Sequence, residues 1–113
     1  MPYRTRLLRR AAIAFAAIIG ADGSALAADA AAGKQKAQMC AVCHGLDGIA
    51  TQPDAASLAG ESVIYLSRQL QAFRSGARQH EQMTIVAQGL SDADIANLAA
   101  WYASIKVTVE MPQ

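Results

Sequence analysis

Cys40 and Cys43 stand three positions apart and His44 follows directly, in the pentapeptide Cys40-Ala41-Val42-Cys43-His44. On one helical turn two such thiols face the same way and reach the edge of a single flat ligand. Thiol, two spacer residues, thiol and imidazole form the attachment signal for c-type haem. The thiols add to two vinyl groups as thioethers and the imidazole binds the iron from one face. Competing readings exist for the same residues. A thioredoxin-like redox pair calls for a βαβ pattern around it, and none is visible. A zinc site needs four ligands, whereas the chain holds two Cys and two His, with His80 far along the sequence. A plain disulfide suits an oxidising compartment but leaves the adjoining His44 unexplained.

The segment ahead of this motif reads as an export signal. Arg4, Arg6, Arg9 and Arg10 form a basic start, residues 11–21 are apolar apart from Gly20, and Ala25-Leu26-Ala27 offers small residues to a peptidase. The apolar run is too short to cross a bilayer, which takes about 20 apolar residues, so no stable membrane insertion is expected after cleavage. We therefore divide the chain into a cleavable signal peptide, 1–27, and one domain, 28–113, exported to the periplasm. Haem attachment after export suits a chain threaded unfolded.

Removing 27 residues from 113 leaves 86, and it removes four of the ten basic residues but only Asp22 of the nine acidic ones. The remaining six basic and eight acidic side chains give a net charge of −2. Neither nucleic-acid binding nor a strongly basic docking ring is expected from that balance. The overall hydrophobic content of 53% is inflated by the leader. A domain of this size has a small core and commonly relies on a cofactor or covalent staple, a role that haem fills.

The elements that must position the motif follow from periodicity and caps. Asp29 can cap a helix through the Ala-rich stretch from Ala30 to Val42, in which Gly33 is expected where another helix crosses closely. Gly45 and Gly48 bracket a turn, and residues 49–60 read as a loop along one side of the ligand. Val63, Leu66, Leu70 and Phe73 follow helical spacing, with Tyr65 and Gln69 alongside, so residues 61–75 form a core helix ending near Gly76. Residues 74–81 read as polar and exposed. Met83 opens a short apolar segment with Ile85, Val86 and Leu90 available for burial. Ser91 with Asp94 resembles a capping box, and Ile95, Leu98, Tyr102 and Ile105 give the apolar face of a final helix, residues 92–104. The last residues, 106–113, are expected as a tail laid against the surface.

Over nearly all of residues 29–105 the chain resembles the small bacterial class I cytochromes c, soluble periplasmic proteins whose relatives also occur as haem domains of dehydrogenases. The resemblance rests on Cys40-Ala41-Val42-Cys43-His44-Gly45, Leu58-Ala59-Gly60, Tyr65-Leu66 with Gln69-Leu70 and Phe73, Met83, Leu90-Ser91-Asp92 and Leu98-Ala99-Ala100-Trp101-Tyr102. It implies an all-α, class I cytochrome c fold of three main helices plus loops around one haem c, with first and last helices crossing. That crossing accounts for Gly33 facing the Leu98 to Tyr102 region. One departure concerns residue 56, where relatives usually carry a Pro whose carbonyl orients the haem His. Ala56 keeps a carbonyl on a less rigid loop.

The resemblance assigns Cys40 and Cys43 to the thioethers, His44 to one axial position, and Met83, eight residues before Ser91, to the other. Met39 is read as core filler, and Met111 as a tail residue. His80, three residues before Met83, is the rival sixth ligand and would give a bis-His site. With both axial positions closed the implied role is electron transfer, not catalysis. The partners implied are redox proteins: a membrane complex and a terminal oxidase or reductase for a free carrier. A flavin- or quinone-cofactor dehydrogenase is the partner if the chain is its cytochrome subunit. A haem enzyme or gas sensor would instead require Met83 to be absent or labile.

Overall fold

The computed structural model describes residues 27–113. The leader expected over residues 1–27 lies outside them, apart from Ala27. Among the described residues every regular element is helical: α1 (Ala30–Lys36), a 3₁₀ turn (Ala37–Met39), α2 (Ala41–His44), α3 (Val63–Ser75), α4 (Met83–Gln88) and α5 (Asp92–Ser104). The all-α expectation therefore holds for these residues.

Local chemistry sets the helix ends. The Asp29 carboxylate accepts the N–H groups of Ala31 and Ala32 and starts α1. Ser62 does the same for α3 through the Tyr65 N–H, and Gly76, with φ 81°, stops that helix in the left-handed region. At α5 the Ser91 hydroxyl accepts the Asp94 N–H at 3.0 Å while the Asp94 carboxylate accepts the Ser91 N–H at 3.1 Å. That reciprocal box satisfies two of the helix's unpaired donors, and the observed helix starts and ends at the residues expected. The first helix differs from expectation. The run from Ala30 to Val42 is not one α-helix but tightens to 3₁₀ at Ala37–Met39 and resumes as α2 one residue later.

α1 packs across α5, and α3 packs on both α4 and α5. At the first crossing a Cβ on Gly33 would lie 1.9 Å from the Asn97 carbonyl oxygen and 3.0 Å from the Trp101 Cβ, so only glycine permits this approach. Two polar links flank the contact. The Asp29 N–H donates to Asn97 Oδ1 at 2.8 Å, and Lys36 Nζ pairs with Asp94 Oδ2 at 3.2 Å. The core beneath is formed by Ala37, Leu66, Leu90, Ile95, Leu98, Ala99 and Tyr102. Ile95 and Leu98 are almost fully enclosed, each contributing about 1.5–3 kcal/mol by burial.

Some apolar positions fall outside this core. The covered stripe of α3 is Leu66, Leu70 and Phe73; Val63 and Tyr65, on the first turn, stay exposed, Tyr65 along the cleft described below. On α4 it is Ala87 that is buried, with Val86 half-buried, while Ile85 points to solvent at 72% exposure. Arg74, expected in the exposed stretch, is half-buried. It ties α3 to the start of α5 by donating to the Leu90 carbonyl at 3.0 Å and to Asp92 Oδ1 at 2.6 Å. Of the tail, Val107 approaches Gly60 but remains exposed, as are Val109 and Met111.

Candidate functional site

One cleft, of about 270 Å³, is lined jointly by Cys40, Cys43, His44 and Met83. Leu66, Leu70 and Phe73 of α3, Val86 and Leu90 around α4, and Leu98 and Ala99 of α5 make its walls apolar. The fold thus brings the four residues singled out in the sequence to one place. His80 lines the same cleft.

The turn from the 3₁₀ segment into α2 presents both thiols. Cys40 precedes α2 and Cys43 lies within it; the Cys43 and His44 N–H groups both donate to the Cys40 carbonyl, at 3.2 and 2.9 Å. Both residues are free thiols, so no disulfide joins them. Burial pushes the Cys40 thiol upward, with the Lys36 ammonium and the neighbouring Tyr102 hydroxyl acting against that rise. Met39, expected as core filler, instead lines the cleft and is 46% exposed, and Val42, between the two Cys, is 72% exposed.

His44 ends α2, and its Nδ1 stands 2.6 Å from the Ala56 carbonyl oxygen. A carbonyl can only accept, so Nδ1 carries the proton and Nε2 keeps its lone pair for an electrophile. This is the ring arrangement that a metal-binding histidine requires. The expectation that Ala56 preserves the bond in place of Pro is met.

The loop carrying Ala56 is fixed from both sides. The Leu58 and Ala59 N–H groups donate to the Gly48 carbonyl at 2.7 and 3.1 Å, and the Ser57 hydroxyl accepts the Ala50 N–H at 3.1 Å. Helix α5 holds the preceding turn through Trp101 Nε1, which donates to the Leu46 carbonyl at 3.0 Å, and the buried Tyr102 hydroxyl, which donates to the Gly45 carbonyl at 3.2 Å. Burial first, then the Cys40 and Asp47 charges and a hydrogen bond to Cys40, push the Tyr102 phenol far above its ordinary range, so it stays a donor. The sequence marked Trp101 and Tyr102 only through the family resemblance. Their donor roles carry no local signal.

On the other side, α4 begins at Met83, which is half-buried. His80 is engaged with the same helix end: its Nδ1 accepts the N–H groups of Gln82 and Met83 at 3.2 and 3.3 Å. The edge of its ring meets Phe73, with centroids 6.4 Å apart and planes at 75°. Arg78, within the stretch expected to be polar and exposed, carries no site signal in the sequence. Its guanidinium lies 4.5 Å from the Phe73 ring centroid and donates to Gln69 Oε1 at 2.6 Å, adding a cation to a largely apolar cleft.

The residues present fit a haem: two adjacent thiols, an imidazole whose second nitrogen is left for iron, a thioether on a separate element, and apolar walls for a flat macrocycle. The comparisons with known proteins agree. The family model for cytochrome c matches residues 30–106. Cytochrome c4 from Pseudomonas aeruginosa is 44% identical over 94 residues, covering 82% of this chain and 47% of that protein. Cytochrome c-554(548) from Halomonas halodenitrificans is 47% identical over 81 residues, covering 69% of this chain and 98% of that protein. Among solved structures, reduced cytochrome c4 from Pseudomonas stutzeri superposes with a TM-score of 0.68 at 37% identity, over 74% of this chain and 48% of that one. The chain spans about half the length of the cytochrome c4 relatives it matches. The chain belongs to the cytochrome c family, with the class I fold.

Proposed function

We propose that the chain is a periplasmic electron carrier holding one haem c through Cys40 and Cys43, with His44 and Met83 as its axial ligands. The observation that carries this reading is the shared cleft of all four side chains, with His44 Nδ1 already committed to the Ala56 carbonyl. When bound, the haem supplies an iron centre that cycles by one electron. Everything else is done by the chain. Cys40 and Cys43 would hold the group as thioethers, each S–H adding across one vinyl double bond with no oxidant or reductant consumed. The Ala56 carbonyl holds the His44 ring in one tautomer. Met83 contributes a soft sulfur that favours the reduced metal and raises the potential. Leu66, Leu70, Phe73 and Leu98 keep water from the cleft and restrict reorganisation.

Met83 is favoured over His80 on hydrogen bonding. A neutral imidazole whose Nδ1 accepts two N–H groups carries its proton on Nε2. Ligation by His80 would require moving that proton and giving up both bonds, while the Met83 sulfur is bound by no such contact. With His44 and Met83 both engaged, the iron would keep no position for a small substrate, and the chain would pass electrons to redox partners. Exposed Met39, just before the thiol turn, and Val42, within it, mark the edge where a partner protein would meet the haem over a small transient interface. Among the described residues no helix is long and apolar enough to cross a membrane. Export rests on residues 1–27.

Two measurements test the assignment. Haem stain on a denaturing gel should weaken or vanish in Cys40→Ser and in Cys43→Ser; undiminished staining of both variants would remove the covalent reading. The oxidised protein should show the weak long-wavelength band of a sulfur-ligated ferric haem, and Met83→Ala should erase it, lower the potential and admit carbon monoxide to the reduced form.

A further inference from the structure

The segment that delivers Met83 has little to hold it. Helix α4 has six residues, too few to be stable by itself, and its formal capping residue, Gln82, makes no side-chain bond to the helix end. Four N–H groups at such an end have no partner within the helix. The cap comes from outside the usual set of Ser, Thr, Asp and Asn: the His80 imidazole accepts the N–H groups of Gln82 and Met83 through Nδ1. The bond pattern is reciprocal. His80 donates its own N–H to Thr84 Oγ1 at 2.9 Å, and its carbonyl accepts the Thr84 N–H at 3.1 Å. The ring in turn rests edge-on against Phe73 of α3, which also carries the Arg78 guanidinium over its face.

We infer that His80 is a positioning residue, whose imidazole caps helix α4 and holds the Met83 backbone where its thioether enters the cleft. This inference rests on Met83 being the sixth ligand. A thioether is a soft ligand in competition with any stronger donor in solution, and its apparent affinity scales with the fraction of molecules in which it is already in place. Each bond that fixes Met83 N–H raises that fraction. Capping also fixes the direction of the Cα–Cβ bond at the first helical residue, from which the whole side chain is aimed.

The experiment uses the ferric holoprotein and imidazole as the competing ligand, with the sulfur band as readout. His80→Ala should keep the band in buffer but lose it at about fivefold lower imidazole concentration than the parent, the factor that losing one ordinary side-chain cap implies. The potential should fall in the same variant. His80→Asn, whose side-chain oxygen can accept the same N–H groups, should restore the parent's midpoint. An unchanged midpoint in His80→Ala, or an Asn variant no better than Ala, overturns the inference. Should His80→Ala fail to accumulate, hydrogen exchange at Met83 N–H of the parent decides the question: the cap requires protection, and exchange at the rate of an unstructured peptide overturns it. A parent protein without the sulfur band would defeat the Met83 assignment itself, before any variant is compared.

Discussion

The His44 imidazole and the Ala56 carbonyl meet at 2.6 Å across a separation of 12 residues, joining the end of α2 to the loop that follows it. The partner is a backbone oxygen, so no side-chain substitution at residue 56 removes it. What the side chain at 56 controls is how firmly the oxygen is held.

Ala56→Pro should therefore stabilise the protein modestly. The Ala56 N–H donates to no protein acceptor among the described residues, so a proline there forfeits no bond. It restricts the unfolded chain, a gain of about 0.4–1 kcal/mol where the backbone is compatible. Thermal unfolding checks this; a loss of stability would show that the loop backbone at 56 does not accept the proline ring.

Gly33→Ala should behave in the opposite way to a helix-propensity argument. Alanine is better in a helix by about 1 kcal/mol, but its methyl group would sit 1.9 Å from the Asn97 oxygen. Separating α1 from α5 to relieve that overlap should outweigh the propensity gain and destabilise by about 1–3 kcal/mol. Urea unfolding of Gly33→Ala against the parent gives the sign directly.

Arg74 and Asp92 allow a charged contact and a neutral one to be separated. The pair is 2.6 Å apart, but the Asp92 side chain is 89% exposed, so Asp92→Ala should cost under about 1 kcal/mol beyond its place in the helix's first turn. Arg74→Ala also leaves the Leu90 carbonyl without its donor and should cost about 1–3 kcal/mol. Equal losses in the two variants would mean that the Leu90 bond contributes nothing.

The Asp94 carboxylate is held below its usual range chiefly by the Ser91 N–H, with burial opposing and the Ser91 hydroxyl and Lys36 adding to the fall. A carboxylate whose folded value lies below the unfolded one, about 3.9, stabilises the protein above that unfolded value. The contribution then disappears as pH falls through the folded value. Asp94→Ala should thus be less stable than the parent at pH 7, by about 1 kcal/mol for a lost cap, and the gap should narrow below about pH 4. A pH-independent gap would assign the loss to packing instead.

Legibility in the sequence varied with how local the cause was. Helix α5 was readable to its ends because Ser91 and Asp94 form the cap from within four residues and the apolar period agrees with it. Cys40, Cys43 and His44 were readable as types at a spacing and Met83 only through the family resemblance, and all four line one cleft. The 3₁₀ tightening at Ala37–Met39 was not, since Ala, Gln and Met favour an α-helix and nothing local signals the narrower turn. Val63 and Ile85 obey an apolar pattern yet face solvent, because periodicity marks a face but not how far a neighbour covers it. Arg74 and His80 looked like members of a solvated stretch. Their partners, the Leu90 carbonyl and the Met83 N–H, are backbone groups that residue types do not reveal.

The crossing of α1 on α5 also has a kinetic side. The bond from Asp29 N–H to Asn97 Oδ1 joins residues 68 apart, so forming this contact in an otherwise unfolded chain would close a large loop. Closing it costs about 4 kcal/mol of chain entropy by the length dependence alone. Contacts of such long range slow folding relative to helical proteins built from neighbouring pairs. Until the two segments meet, the Cys40 to His44 turn has no α5 beneath it and stays open to solvent.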